Sequence, residues 1–369
     1  MPSAPDEQVL AAISKTGFVL EHDVVTALQQ AGWRTINGSY YIDDVSEQAR
    51  ELDIIAYKIF RSEEIDVLTC ALVSCKKDST KTAAFLSRQR PRTDPNADWE
   101  PLHWASRVQP MKAHLSSSNW KNRYFEELRG ATRKMLTANR DIFAFQMVCA
   151  DGKPHNDKPY YDSVTGLIKA LDHEANKKRE SKSPVKKRLY QFSLHAVLDA
   201  PMVDVQFQDN GQRVRQIDRI TCFSRYMVRK QDTAASVHFT SKGNLSDWIQ
   251  DLNELHAHNS DFFSREFEKS YKAIITSPEV RKYFQEKMEF WLKFDINAAI
   301  KRLRLGRKIE NLHLSVGGGK LQIEVDVEGT SAIAKLNSDS VLKNEIAKTL
   351  RRLARFSGSF AIADLDIPF

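Results

Sequence analysis

Long apolar runs are absent from this sequence of 369 residues. No stretch approaches the roughly eighteen consecutive apolar residues that a membrane-spanning helix needs, so we expect no membrane partner. The amino terminus, MPSAPDEQVLAAISK, lacks a positive region followed by an apolar stretch and therefore predicts no secretory signal. Internal repeats and low-complexity tracts are also missing. With 41% hydrophobic and 28% charged residues, the chain is expected to bury a sizeable core.

Cysteine is scarce and scattered. None of the four cysteines belongs to a CxxC pair or lies near histidines at the spacing of zinc ligands. Free thiols in a reducing cytoplasm are the simplest interpretation, and we expect a cytoplasmic protein. Cys75 precedes a lysine, but its place in an alternating strand predicts an inward and unreactive thiol. The cysteines are Cys70, Cys75, Cys149 and Cys222.

A phosphate-binding P-loop is missing as well. GGGK (Gly317 to Lys320) does not have the GxxxxGK[ST] spacing, and a tight hairpin turn explains its glycines. In HAH (His256 to His258) the two histidines would point to opposite sides of a helix, which argues against a metal pair.

Positive charge is in excess and is concentrated in two segments. The formal net charge is +7, which favours an anionic partner. HEANKKRESKSPVKKRLY (173–190) contains seven lysines and arginines, and KRLRLGRK (301–308) contains five. Each run alone is typical of a solvated helix end or a linker. Together they favour contact with phosphate groups.

Apolar periodicity predicts a mixed α/β first part followed by a helix-rich part. Three- and four-residue spacing indicates helices, and β-branched apolar runs indicate strands. The predicted helices are 17–33, 119–140, 162–180 and, after about residue 235, several long ones, with a last helix at about 338–356. The predicted strands are 52–60, 67–75, 189–200 and 218–228, and a loop is predicted at 77–99, where prolines interrupt the pattern.

Two domains are expected from this order of elements. Residues 1–235 would form one sheet with helices on its faces, interrupted by an insertion at about 78–158. Residues 236–369 would form an α+β accessory domain. No motif in that second part indicates its role.

Two predicted strands carry the residues that point to chemistry. RELDIIAYK (50–58) places Asp53 at the edge of an apolar strand, and LTCALVSCKK (68–77) ends the next strand with Lys76. Ser74 and Lys76 share one face, because side chains repeat every two residues along a strand. Glu21 lies one turn before the apolar face of the first helix, where an unpartnered charge is costly.

This arrangement resembles the PD-(D/E)xK nuclease superfamily, which has the restriction-endonuclease-like fold. Asp53 matches the strand aspartate of that family, Lys76 its lysine and Glu21 its helix acid. The resemblance covers residues 17–77 most fully and extends weakly to the later helix and strands. It implies a magnesium site held by Asp53 and Glu21, with Mn²⁺ as the alternative ion, and a lysine that positions the attacking water.

One position departs from the family pattern. The acid that precedes the lysine is Ser74 here, and a hydroxyl is a much weaker magnesium ligand than a carboxylate. Either the site is active, with Ser74 in the degenerate ligand position, or the site has lost its metal and the domain only binds nucleic acid. Taken singly, Asp53, Lys76 and Glu21 are also consistent with a salt bridge to Arg50, a solvated strand end and the positive end of a helix dipole.

The resemblance predicts a divalent-metal-dependent endonuclease, a hydrolase that acts on DNA rather than RNA in a defence or repair context. Asp53, Lys76, Glu21 and Ser74 would form its site. A catalytically inactive nucleic-acid-binding or scaffold protein on the same fold is the alternative. A third hypothesis is an interaction protein that forms homo-oligomers through its carboxy-terminal region. Backbone phosphates would contact Lys177, Lys178, Arg179, Lys186, Lys187, Arg188, Arg302, Arg304 and Arg307.

Overall fold

The computed structural model describes residues 5–43, 47–91, 98–180, 187–327 and 329–365. The chain forms two compact units, the first made of residues 1–107 and 121–262 and the second of 108–120 and 263–369. None of the helices in the described ranges combines the length and the apolarity required to cross a bilayer.

The described residues form helices and strands with the following bounds. The helices are α1 (Asp6–Ser14), α2 (Phe18–Gln30), α3 (Met111–Ser117), α4 (Trp120–Glu127), α5 (Gly130–Leu136), α6 (Lys158–Glu180), α7 (Leu245–Lys272), α8 (Pro278–Leu303), α9 (Thr330–Ser338) and α10 (Ser340–Ala354). The strands are β1 (Arg34–Ile42), β2 (Ala49–Phe60), β3 (Asp66–Lys77), β4 (Lys81–Gln89), β5 (His103–Ser106), β6 (Arg140–Cys149), β7 (Pro154–His155), β8 (Arg188–Asp199), β9 (Met202–Gln208), β10 (Gly211–Gln216), β11 (Arg219–Val228), β12 (Gln231–Ser241), β13 (Leu312–Gly317), β14 (Lys320–Val325) and β15 (Phe360–Asp364).

A mixed sheet forms the centre of the first unit, which confirms the predicted α/β class. Its strand order is β1-β2-β3-β8-β12-β11, and β5 also pairs with β8. β3 and β8 run parallel, as do β8 and β12, whereas β1, β2 and β3 form an antiparallel meander. β3 is buried along nearly its whole length, which explains its continuous apolar run, because central parallel strands are covered on both faces.

Two helices of the first unit position the candidate site. α2 buries Leu20, Val24 and Val25 together with Leu28, and the chain leaves this helix through Gly32 at a φ of +81°. Only glycine takes up that conformation without strain. α6 buries an apolar face that packs on β3 and β8. Both helices were predicted from their spacing.

A second sheet of the first unit has the strand order β10-β9-β4-β6-β7. It corrects the loop predicted at 77–99, because β4 pairs with β6 on one side and with β9 on the other. The segment of β4, KTAAFLSRQ, is rich in alanine and polar residues and therefore has little intrinsic strand propensity. The helix predicted at 119–140 is divided into α4 and α5, with Gly130 at a φ of +66° between them.

The boundary predicted at 235/236 falls inside β12, which pairs with both β8 and β11. The first unit therefore continues to residue 262. The insertion predicted at about 78–158 does not belong wholly to the first unit. β4 and β6 belong to the second sheet of the first unit, and residues 108–120 belong to the second unit.

The second unit contains α3, α8, α9 and α10 together with the sheet β13-β14-β15. Its core consists of side chains from these elements, among them Phe284, Leu292, Ile323 and Ile346. The predicted hairpin is confirmed: Gly318 and Gly319 form the turn between β13 and β14 with φ of +57° and +74°. Positive φ at both central residues suits a tight turn that matches the twist of the strands.

Candidate active site

The pairing of β2 with β3 brings the predicted strand residues together. Ile54 pairs with Val73, so Asp53 and Ser74 are the next residues along the two strands. Ser74 Oγ lies 3.2 Å and Lys76 Nζ 3.6 Å from Asp53 Oδ2. The backbone N–H of Cys75 donates to the same oxygen at 2.6 Å. Asp53, Ser74 and Lys76 therefore form one cluster at the end of β3.

The two oxygens of Asp53 have different surroundings. Oδ2 receives the hydroxyl, the backbone N–H and the ammonium contact described above. Oδ1 has no hydrogen-bond partner among the residues that the structure describes. The two hydrogen bonds and the ammonium contact on this oxygen hold the carboxylate in one orientation. The second oxygen remains available to a ligand in the adjacent cavity.

Ser74 acts here as a donor to the aspartate. Its side chain is 7% exposed, and its oxygen lies 3.4 Å from Ser163 Oγ on α6. Ser163 donates its own proton to the carbonyl of Pro159 at 2.9 Å. Because Ser74 has a single hydroxyl proton, donation to the charged Asp53 is the stronger of its two options. Cys75 is buried, as predicted, and burial raises the pKa of its thiol.

Glu21 lies on α2 within the electrostatic reach of the same cluster. Burial raises the pKa of its carboxyl above the ordinary 4.5, and the neighbouring charge of Asp53 raises it further, whereas Lys76 opposes the shift. Glu51 adds a smaller contribution in the same direction as Asp53. An acid held close to another acid at an energetic cost is typical of sites that bind a cation.

Replacing Glu21 by glutamine is expected to stabilise the protein at neutral pH. The raised pKa means that the folded state holds this proton more tightly than the unfolded chain does, so the charged group lowers stability as pH rises above 4.5. Urea unfolding of Glu21→Gln should therefore give a larger free energy of unfolding than wild type at pH 7 and an equal one below pH 4.5. Glu63→Gln, at an exposed position, is the matched control. Equal stabilities of wild type and Glu21→Gln at pH 7 would contradict this assignment.

A half-open cavity of about 400 Å³ adjoins the cluster. Asp53, Ser74 and Lys76 line one part of it. The rest of its wall comes from β1, β2, α6 and β11, and it contains basic and acidic groups in equal number. These charged wall residues are Asp43, Arg50, Glu51, Lys158, Asp162 and Lys169.

Sequence reasoning missed the ion pairs of this cavity wall. Lys169 Nζ lies 2.7 Å from Asp43 Oδ2, and both side chains are nearly buried. Arg50 approaches the same carboxylate at 3.9 Å rather than pairing with Asp53. Asp43 follows β1 and Lys169 lies in the middle of α6, so no local spacing in the sequence connects them.

The first predicted basic segment lies away from the cavity. Asp66 pairs with Arg188 at the start of β3 and β8, whereas Lys76 pairs with Leu198 near their ends. Ten residues of strand separate the two positions by about 33 Å. This segment is therefore at the opposite end of the strands from Asp53.

Most described members of that segment are engaged by acids of their own surroundings. Lys177 and Lys178 both contact Glu174, at 3.4 and 3.3 Å. Arg188 contacts Asp66 at 3.7 Å and Lys187 contacts Glu64 at 3.9 Å. Arg179 donates to Asn176 and to the carbonyl of Trp104. Lys186 lies outside the described residues.

The second basic segment belongs to the second unit. Arg302 contacts Asp339 at 2.7 Å, at the start of α10. Arg304 ends α8 in the left-handed conformation, and both it and Arg307 are exposed. The predicted phosphate contacts are therefore distributed over several surfaces, and none of their described members lines the cavity beside Asp53.

No family model, curated protein or solved structure matches this chain. The interpretation of the cluster therefore depends on its own chemistry and on the pattern of residues in β2, β3 and α2.

The acidic side chains of the cluster suit magnesium better than zinc. The described residues contain no group of three or more His, Cys, Asp or Glu side chains arranged to hold a metal. A zinc site, which needs three or four protein ligands, does not fit. Magnesium fits, because it usually takes one or two carboxylates and completes its shell with water and substrate oxygens. Asp53 through Oδ1, with Glu21 as a second or water-mediated ligand, would meet that requirement.

Proposed function

We propose that this protein is a Mg²⁺-dependent nuclease that cleaves DNA, with Mn²⁺ as an alternative ion. The observation that carries the proposal is the 3.6 Å contact between Lys76 Nζ and Asp53 Oδ2 at the edge of a cavity, with the other oxygen of Asp53 left to a ligand. A lysine beside an aspartate on adjacent strands suits metal-assisted phosphodiester hydrolysis, because the aspartate can hold the metal while the lysine stabilises the charge that develops on the phosphate.

A restriction-endonuclease-like core is part of the same proposal. An antiparallel β1-β2-β3 meander followed by a parallel β3-β8 pair supports it, with α2 and α6 as the helices of that core. The acid of α2 and the acid and lysine of β2 and β3 then come from neighbouring parts of the chain, with only β1 between the helix and the two strands.

Each residue of the cluster has a separate part in the proposed reaction. Bound Mg²⁺ would supply charge neutralisation at the phosphate and a more acidic water. Asp53 would hold the ion, and Ser74 and the N–H of Cys75 fix the orientation of that carboxylate through Oδ2. Lys76 orients the attacking water and stabilises the negative charge that develops on the phosphate oxygens. Glu21 adds negative charge that favours the cation.

The proposal is tested with plasmid, linear duplex and single-stranded DNA and with RNA, each incubated with Mg²⁺, Mn²⁺ or EDTA. We expect endonucleolytic cleavage of DNA with either metal and none with EDTA. Asp53→Asn retains the size of the side chain but removes its charge and should abolish cleavage. Cleavage that persists in Asp53→Asn, or the lack of any cleavage by the wild type, would refute the proposal.

Restoring an acid at position 74 is expected to make stability depend on metal. In Ser74→Asp a second carboxylate would lie beside Asp53 in a nearly buried position, where two like charges repel. Mg²⁺ would relieve this repulsion, so we expect saturating Mg²⁺ to raise the Tm of Ser74→Asp by about 5 °C more than that of wild type. Ser74→Asn, which has the same shape without the charge, is the control. Equal responses of the two variants to Mg²⁺ in differential scanning fluorimetry would contradict a metal site here.

A non-catalytic nucleic-acid-binding protein on the same fold is the second candidate function. It is favoured by Ser74, whose hydroxyl donates to Asp53 where an acid would bind metal. In that case DNA binding would be unchanged in Asp53→Asn, and no metal would produce cleavage.

A further inference from the structure

A groove of about 660 Å³ lies between α8 and α10 in the second unit. These helices are antiparallel: Lys287 near the start of α8 donates to the carbonyl of Leu353 near the end of α10. Arg302 at the other end of α8 contacts Asp339 at the start of α10. The groove therefore lies between two antiparallel helices, lined by the middle of α8 and the second half of α10.

Large aromatic side chains of α8 are exposed in and beside this groove: Trp291 and Phe294 line it, and Phe290 lies one helical turn before Phe294. Phe290 is 70%, Phe294 64% and Trp291 44% exposed, although apolar groups of this size are normally buried. The guanidinium of Arg352 covers the ring of Trp291, with 4.7 Å between its Cζ atom and the ring centroid. The ring is thus held in place by a cation, and the two phenylalanines leave most of their surface to solvent.

The α10 wall of the groove presents unneutralised positive charge. Lys348 contacts Glu345 at 2.7 Å, so these two charges compensate each other. Arg351 and Arg352 have no ion pair with any residue that the structure describes, and both line the groove. The remaining acid of the groove wall is Asp295, which interacts electrostatically with Arg352 and Lys348. The surplus charge of this wall is therefore positive and is carried by guanidinium groups.

The composition of the groove distinguishes between two kinds of macromolecular partner. The central part of a protein–protein interface is depleted in Lys, Glu and Asp, although it is enriched in aromatic residues and arginine. Here three of the eight residues that line the groove are of the depleted types: Asp295, Glu345 and Lys348. Aromatic rings beside arginines also suit a single strand of nucleic acid, since bases stack on rings and phosphates contact guanidinium groups.

We propose that the α8–α10 groove binds single-stranded nucleic acid. Unpaired bases stack on Phe290 and Phe294, and the phosphates between them contact Arg351 and Arg352. A duplex is disfavoured, because its bases are already stacked on one another and do not present their faces to the protein. This site belongs to the second unit alone and does not depend on the catalytic proposal for Asp53.

Binding is measured by fluorescence anisotropy with labelled oligo(dT) and with a duplex of equal length, both in EDTA so that no cleavage occurs. We expect the single strand to bind more tightly than the duplex. Phe294→Ala should weaken single-strand binding about 10-fold, since one stacking platform is lost. Arg351→Ala should lower the slope of log Kd against log salt concentration by about 0.7.

Two matched variants separate this groove from the rest of the surface. Phe143→Ala removes another exposed ring that lies near a guanidinium, that of Arg88 in the first unit. Lys343→Ala removes an exposed cation of α10 outside the groove. Both should bind oligo(dT) as wild type does.

Three results would overturn the proposal. One is wild type that does not bind oligo(dT) at low salt, and another is Phe294→Ala and Arg351→Ala that bind it like wild type. The third is a dimer in sedimentation velocity that Phe294→Ala dissociates without any change in oligo(dT) binding, since the groove would then join two copies of this chain. A protein that cleaves nothing but binds oligo(dT) through Phe294 would refute only the nuclease proposal.

Discussion

Replacing Lys76 by alanine is expected to lower the rate of Mg²⁺-dependent DNA cleavage by about 10²–10³-fold, the usual loss when one preorganised charge-stabilising group is removed. The ammonium group lies 3.6 Å from Asp53 Oδ2, and 35% of the side chain is exposed, towards the cavity. Because the side chain is only partly buried and its ion pair reaches the cavity, we expect Lys76→Ala to fold with a small change in Tm. The measurement is single-turnover cleavage of plasmid DNA at saturating Mg²⁺, with far-ultraviolet circular dichroism to verify folding.

The adjacent lysine is the control for this experiment. Lys77 has the same chemistry, but it contacts Asp199 at 3.6 Å and donates to the carbonyl of Ser14, and it does not line the cavity. Lys77→Ala should therefore retain cleavage within a few-fold of wild type, even if it lowers stability slightly. Equal losses in Lys76→Ala and Lys77→Ala would mean that general positive charge, and not the position beside Asp53, supports the activity.

Replacing Asn259 by alanine is expected to lower the free energy of unfolding of the first unit by about 3 kcal/mol. Asn259 is fully buried on α7 and connects three other elements. Its Nδ2 donates to Thr69 Oγ1 on β3 and to Gln191 Oε1 on β8, both at 2.9 Å, and its Oδ1 accepts from the hydroxyl of Tyr124 on α4 at 2.6 Å. All three partners are fully buried, so the substitution leaves buried polar groups without their hydrogen bonds.

Urea unfolding monitored by tryptophan fluorescence measures this loss. Asn344→Ala, at an exposed position of α10, is the control and should change stability by less than about 0.5 kcal/mol. A loss below about 1 kcal/mol in Asn259→Ala would mean that water replaces the amide without penalty.

The sequence allowed prediction of those parts of the site that local patterns determine. The buried run of β3 and the apolar spacing of α2 identified both elements, and the two-residue period placed Ser74 and Lys76 on one face. The proximity of Asp53 to that face follows from the antiparallel pairing of neighbouring strands. These features depend on residues that are close in the sequence.

The features that were missed depend on distant parts of the chain. β4 has weak strand propensity of its own and is stabilised by pairing with β6 and with β9, which begins more than a hundred residues later. The pairing of Lys169 with Asp43 joins α6 to the end of β1. The basic residues around Arg188 were visible as a run, but their acidic partners, such as Asp66, are brought to them only by the parallel pairing of β3 with β8.

All the contacts of Asp53 described above are made by Oδ2, and under the proposed function this would affect which ion the site prefers. A carboxylate whose Oδ2 accepts two hydrogen bonds and also contacts an ammonium group would offer an ion mainly Oδ1, which disfavours chelation through both oxygens. Calcium favours six to eight ligands and often takes carboxylates in the bidentate mode, whereas the smaller magnesium ion keeps its waters and accepts a single oxygen. The hydrogen bonds that orient Asp53 would thus also discriminate against the larger cation.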